Sequence, residues 1–229
     1  SHVGENQPLL DLLARKNIPY VLVSRQIAGH LAAASDDELG GWLAAEHLYQ
    51  LGCRDVAILA GERHASTGAD RTRGFIRYYR EQGVALRPEW IVNGPFDSHT
   101  GHQQGEYLLG LNPRPQAFFA VNDFLAIGLM GAARDKGLQP GKDIAVVGFN
   151  DIPLANELIV PLTSVRLQMA QMGRHAVERA GVPAAAGVRG RRVRPRVAHG
   201  AGRGRPHAVQ DAGRAVRRRR LAAEPPLGH

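Results

Sequence analysis

A single cysteine, Cys53, stands in a chain of 229 residues. One thiol excludes an internal disulfide and any zinc cluster built from thiolates, and it reads as a small buried hydrophobe. No window approaches the roughly 18 uninterrupted apolar residues that a bilayer span requires. The opening SHVGENQPLL lacks the basic region and apolar core of a secretory signal, so a cytoplasmic location and no membrane partner are the default expectation. Catalytic signatures are also missing. No GxxxxGK[ST] or GxGxxG follows an apolar run, the ten His never take HExxH spacing, and Ser66 and Ser98 lie outside GxSxG. These absences leave an enzyme, a cofactor and a metal site without support, in a chain whose 44% apolar content is that of a globular protein.

Acidic residues are scarce in one place only. Residues 180–229 hold twelve Arg against Asp211 and Glu224, a local balance of +10, which leaves −2 of the total +8 for residues 1–179. The basicity is a property of the tail and does not make the body a nucleic-acid binder. Ala, Gly, Val, Pro and Arg supply 42 of those 50 residues, too little bulk to offset the entropy of ordering, so the segment is expected to lack regular structure. Three explanations compete for it: an out-of-frame reading of a GC-rich gene, an inert solvated tail, and a basic arm that binds phosphates.

The body alternates between helix and strand. PLLDLLARKN clusters its leucines at helical spacing and feeds the apolar run IPYVLV at 18–23. GWLAAEHLYQLG follows as a helix stopping at Gly52, DVAILAG as a strand at 55–61, and GADRTRGFIRYYREQGV as a helix ending at Gly83. EWIVNG is a strand, SHTGHQQGEYLLGL a helix with Ser98 as its N-cap, QAFFAV a strand at 116–121, NDFLAIGLMGAARDKG a helix capped by Asn122 or Asp123, and DIAVVGF a strand. Near-continuous apolar strands, spaced for βαβ units, predict an α/β fold with a parallel sheet buried on both faces.

The strand ends are polar. DIAVVGF stops at Asn150–Asp151, QAFFAV at Asn122–Asp123, EWIVN at Gly94–Pro95–Phe96, and VAILA at GERHASTGADR. In open parallel sheets ligands bind beyond the carboxyl ends of the strands, so four such ends in succession describe a small-molecule cleft. Turn or capping chemistry would explain any one of them alone.

GGWLAAEHLYQLGCRDVAILAG, RTRGF, QAFFAVNDFLAIGLMGAARDKGLQPGKDIAVVGFNDIPLA and PLTSVRLQMAQMGRHAVE together resemble the effector-binding core of LacI/GalR transcriptional regulators, over residues 5–178. The resemblance implies a type I periplasmic-binding-protein-like fold: two parallel-sheet lobes joined by crossing strands, with an effector, commonly a sugar or a purine, between them. It assigns ligand contacts to Thr67, Arg71, Phe96, Asn122 and Asn150, whereas Asp123 and Asp151 are read as capping or interlobe hydrogen-bonding residues. A guanidinium fork, two amides and an aromatic face suit a polyhydroxylated ring. A surface position for Arg71, a core position for Phe96 and a capping role for Thr67 remain the alternatives.

The resemblance also implies homodimers that bind operator DNA through a helix-turn-helix headpiece, which is expected to fall outside residues 1–229. It divides the chain into 1–30 as a remnant of an incomplete N-terminal lobe, 31–166 as the C-terminal lobe, 167–179 as a return to the N-terminal lobe, and the tail at 180–229. Such a depleted N-terminal lobe is expected to expose apolar edges. The other reading of the same fold is a free-standing periplasmic-type sugar-binding protein.

Overall fold

The computed structural model describes residues 3–180 and 192–198. Two sheets organise them. The larger is built from β3 (Val56–Leu59), β4 (Ile91–Val92), β5 (Ala117–Ala120), β6 (Ala145–Asn150), β7 (Thr163–Arg166) and β9 (Arg196–Ala198), in the order β4-β3-β5-β6-β7-β9. Every pairing in it is parallel except that of β9, which runs antiparallel along β7. The smaller sheet is parallel, in the order β1-β2-β8, from Leu22–Val23, Ala32–Ser35 and Arg192–Val193.

β3 and β5 are buried at every position, as expected for strands covered on both faces. Register places Ile58 beside Phe119 and Phe119 beside Val147, so large side chains of adjacent strands meet in the core. Phe75 stacks on Phe119 at 4.7 Å between ring centres and on Tyr79 at 5.2 Å. The covering helices are α2 (Asp37–Gln50), α3 (Ser66–Glu81), α4 (Ser98–Gly110) and α5 (Asp123–Asp135). Gly148 faces Asp123 and Ala126 of α5, whereas its neighbour Phe149 reaches Gly40 of α2. Alternate strand residues point to opposite faces, so α2 and α5 lie on opposite sides of the sheet.

Glycines set how closely the helices pair. A Cβ on Gly41 would lie 1.8 Å from the Arg71 carbonyl oxygen, and one on Gly74 would lie 1.9 Å from that of Glu38. α2 and α3 therefore touch backbone to backbone. Gly101 and Gly128 do the same for α4 and α5, with a Cβ on Gly128 only 2.0 Å from the Ser98 carbonyl oxygen. Gly52 and Gly83, at φ of +86° and +72°, turn the chain out of α2 and α3 where the sequence predicts their ends.

Several local expectations are corrected. α2 begins four residues before Gly41, because Asp36 caps it by accepting from the Leu39 amide, and the Gly40–Gly41 pair supplies contact space rather than a boundary. Asp97 instead of Ser98 caps α4, accepting from the Thr100 amide at 2.7 Å. Of IPYVLV only Leu22–Val23 pairs, since Pro19 offers no amide hydrogen and Ser24, at φ +62°, ends the strand. β2, with its three alanines, carries no strand propensity of its own and is made by burial between β1 and β8. β2 pairs with β1 in the smaller sheet, and α2 starts two residues after it, at Asp37. Residues 192–198, in the segment expected to lack regular structure, form β8 and β9; pairing with the edges of β2 and β7 uses backbone groups and asks little of composition. The remainder of 180–229 beyond Ala180 lies outside the described residues.

Among the described residues the chain passes between the lobes three times, at Asp36 between β2 and α2, at Leu167–Gln168 between β7 and α7 (Met169–Ala180), and at Arg194–Pro195 between β8 and β9. α7 packs on β1 and β2 through Met172 and Ala176 against Ala33. On this small lobe Leu9, Leu12, Ile18, Val23 and Val177 are exposed, Val177 to 76%. No helix among the described residues is long and apolar enough to cross a membrane.

Candidate functional site

The carboxyl ends of the large sheet open into a cleft of about 770 Å³, closed on its far side by Ser24–Arg25 and the start of α7. Thr67, Arg71, Phe96, Asn122 and Asn150 all line it. Four separate strand ends thus converge on one space.

Thr67 and Arg71 are one turn apart on α3, so they share a face. Thr67 does not cap that helix: Ala65 is the N-cap residue and no side chain bonds to the first amides. Arg71 is no surface charge, being only 5% exposed. Its Nε donates to Asp37 Oδ1 at 2.8 Å, its Nη1 donates to the Val121 carbonyl at 2.7 Å, and its guanidinium lies 3.9 Å from the centre of the Phe149 ring. Burial pushes the Asp37 carboxyl up and the Arg71 guanidinium down from their ordinary values, and their mutual attraction opposes both shifts. Ser35 adds a hydrogen bond to Asp37 at 2.9 Å. The pair and the Val121 carbonyl fix the plane of the guanidinium at the wall of the cleft.

Phe96 is half-buried, and its ring occupies space that side chains at Gly61 and Gly68 would otherwise fill; a Cβ on Gly61 would lie 2.3 Å from the ring. Asn122 has two tasks. Its Oδ1 accepts from the Leu125 amide at 2.8 Å, capping α5, and its Nδ2 donates to the Phe96 carbonyl at 2.9 Å. The cap therefore tethers the aromatic loop beside it.

The apolar strand β6 ends in an amide and an acid because the chain turns there through backbone conformations that Asn and Asp tolerate best. Asn150 has φ of 115° and Asp151 of 56°. The Asp151 amide donates to Ser164 Oγ at 3.0 Å, and its carboxylate pairs with Arg166. Asp123 accepts from Ser164 Oγ at 2.6 Å and from the Ile152 amide at 2.9 Å, binding β7 and the turn after β6 to the start of α5. Burial outweighs these bonds and raises its carboxyl above the ordinary value. Gly148 makes room for it, since a Cβ there would meet Asp123 Oδ1 at 2.4 Å. Both acids work within the large lobe rather than between lobes, and Asp151 also lines the cleft.

Sequence reasoning missed Asp37, Arg25, Arg166, Gln168 and Arg174. Asp37 was hidden beside the cap residue Asp36, and Arg166 stood unassigned in PLTSVR. The other three come from the small lobe or its crossing, where no strand-end rule points. A second groove of about 530 Å³ follows the outer face of α3 and the edge of β4, but its Arg73 and Arg77 are both paired with Glu38. It gathers none of the five predicted residues.

Comparison with known proteins agrees with this architecture. The family described as periplasmic binding protein-like domain matches residues 45–213, a span that includes β8 and β9. The HTH-type transcriptional repressor PurR of Photobacterium profundum is 31% identical over 176 residues, covering 76% of this chain and 53% of that protein. The chain thus spans about half the length of the curated relatives it matches. A LacI-family regulatory protein from Chloroflexus aggregans aligns with a TM-score of 0.75 at 30% identity, over 84% of this chain and 71% of that one. The transcriptional regulator CelR in complex with cellobiose aligns with a TM-score of 0.76 at 25% identity, over 86% of this chain and 63% of that one. These relatives are transcriptional regulators, not enzymes.

Proposed function

Because the chain belongs to the periplasmic binding protein-like family, as an effector-binding core of the LacI/GalR type, we propose that it senses a sugar in the interlobe cleft and so controls a transcriptional repressor. One observation carries the reading: Thr67, Arg71, Phe96, Asn122 and Asn150, drawn from four strand ends, line one cleft whose opposite wall belongs to the other lobe. A ligand touching both walls favours the lobe arrangement in which both contacts are made, and that differential affinity is the whole of the signal. Phe96 covers the apolar face of the ring, the Arg71 guanidinium and the Asn150 amide bond its hydroxyls, and Thr67 and Asn122 complete the polar rim. Cellobiose in the CelR complex supports a sugar as the effector class.

In the whole protein the response reaches operator DNA through a headpiece joined to the small lobe, in the cytoplasm, and two copies act together as a homodimer. Exposed Phe124, Leu154, Ile159 and Val160, on α5, on α6 (Pro153–Glu157) and just after it, support a self-association surface on the large lobe.

Calorimetric titration of the chain with a panel of mono- and disaccharides, cellobiose included, tests the sensing role. A sugar that binds the wild type should lose roughly tenfold or more in affinity with Arg71→Ala, which strands its acceptors without a donor. Equal binding by wild type and variant, or no sugar bound at all, overturns the proposal.

A further inference from the structure

The charge of the cleft is unevenly divided between its walls. Among the described residues four guanidinium groups line it, those of Arg25, Arg71, Arg166 and Arg174, against the single carboxylate of Asp151. On the large-lobe side the positive charges are already matched, Arg71 by Asp37 behind it and Arg166 by Asp151. That wall is therefore close to neutral and offers an aromatic ring, two amides and a hydroxyl. The small-lobe wall contributes Arg174 and Gln171, together with Arg25, which has a partner of its own, and among the described residues no acidic side chain of that lobe lines the cleft. On α7 the carboxylate nearest Arg174 in sequence, Glu178, is engaged by His175 at 3.2 Å.

From this division we infer that the effector is an anionic sugar, its ring seated on Phe96 and its phosphate or carboxylate directed at Arg174 across the cleft. This rests on the reading of the cleft as the effector site. The energetics favour an anion once the lobes approach. While the cleft is open and wet, the charge of the small-lobe wall is screened. Closing it expels water and lowers the local dielectric, so the Arg174 guanidinium becomes costly to enclose and a ligand anion facing it becomes strongly bound. A neutral sugar satisfies the large-lobe wall equally well but leaves that closure cost in place. The anion therefore supplies the differential interaction that couples binding to lobe closure, and Arg174, on the helix that follows a lobe crossing, reports it.

The test is calorimetry on the full 229-residue chain. The probes are D-glucose, D-gluconate and D-glucose 6-phosphate, with D-ribose, D-ribonate and D-ribose 5-phosphate beside them. At least one anionic member should bind roughly tenfold or more tighter than its neutral parent, the gain of a charge-assisted hydrogen bond. Its advantage should shrink at high salt. Preference for the phosphate over the acid, or the reverse, identifies the anion. Arg174→Gln should bring the affinities of the anion and its parent sugar together, the anion's falling and the parent's rising as the cost of enclosing the guanidinium disappears. Neutral sugars bound as tightly as their anions, an Arg174→Gln variant with the wild-type preference, or no anionic member bound, each overturns the inference. If neutral sugars bind and Arg71→Ala abolishes that binding, the sensing role survives without the anion; if no probe binds, both readings fall.

Discussion

Arg71 Nε lies 2.8 Å from Asp37 Oδ1, so the arginine that faces the cleft is fastened to the first helical residue after a lobe crossing. Both side chains are only 7% exposed, which makes each the other's indispensable partner. Asp37→Asn leaves a buried guanidinium without its counter-charge and should lower stability by about 3–5 kcal/mol. Urea unfolding measures this, with Asp37→Leu combined with Arg71→Met recovering much of the loss. An unchanged unfolding midpoint in Asp37→Asn would mean that the ion pair contributes nothing.

Asp123 gives a pH signature. Its folded pKa is raised above the ordinary 3.8, chiefly by burial, so its contribution to stability is complete below 3.8 and lost as pH rises through the folded value. Asp123→Asn cannot take up that proton. The stability of the wild type relative to Asp123→Asn should therefore grow as pH falls from neutrality toward 3.8. Denaturant melts of both proteins across that range provide the check, and a difference that narrows on acidification contradicts it.

Asn122 separates capping from positioning. Asn122→Ala loses the cap of α5 and should cost about 1 kcal/mol. Asn122→Asp keeps an oxygen for the Leu125 amide but has no Nδ2 to hold the Phe96 carbonyl. It should melt near the wild type while binding the cleft's sugar more weakly. Parallel losses of stability and affinity across the two variants would deny Asn122 a positioning role.

Two glycines should respond with opposite sign to the same substitution. Gly128→Ala drives a Cβ to 2.0 Å from the Ser98 carbonyl oxygen, forcing α4 and α5 apart at about 1–3 kcal/mol or more. Gly173, inside α7, has nothing within 4 Å of its added Cβ, so Gly173→Ala should stabilise by roughly 0.5–1 kcal/mol through the unfolded chain. Thermal unfolding that moves both variants in the same direction would refute the account of helix packing.

The large lobe was legible because its signals are local. Unbroken apolar runs such as Val56–Leu59 and Ala117–Ala120 announce strands buried on both faces, and polar residues at their carboxyl ends announce the site. β2 was not legible, since Ala32–Ala34 lack the β-branched bulk that marks a strand and become one only between two neighbours. Asp37 was equally hidden, because its partner is 34 residues away and an adjacent Asp offers the simpler explanation of a helix cap.

The order of strands and helices, the polar strand tips and the confinement of net positive charge to 180–229 follow from the amino-acid sequence alone, because side-chain pattern and composition are properties of neighbours along the chain. Tertiary structure alone decided that four tips meet in one cleft, that Asp37 neutralises Arg71, and that the arginines of the opposite wall come from Ser24–Arg25 and α7. Those relations depend on where three separate crossings bring distant segments together, and distance across a folded lobe leaves no periodicity to read.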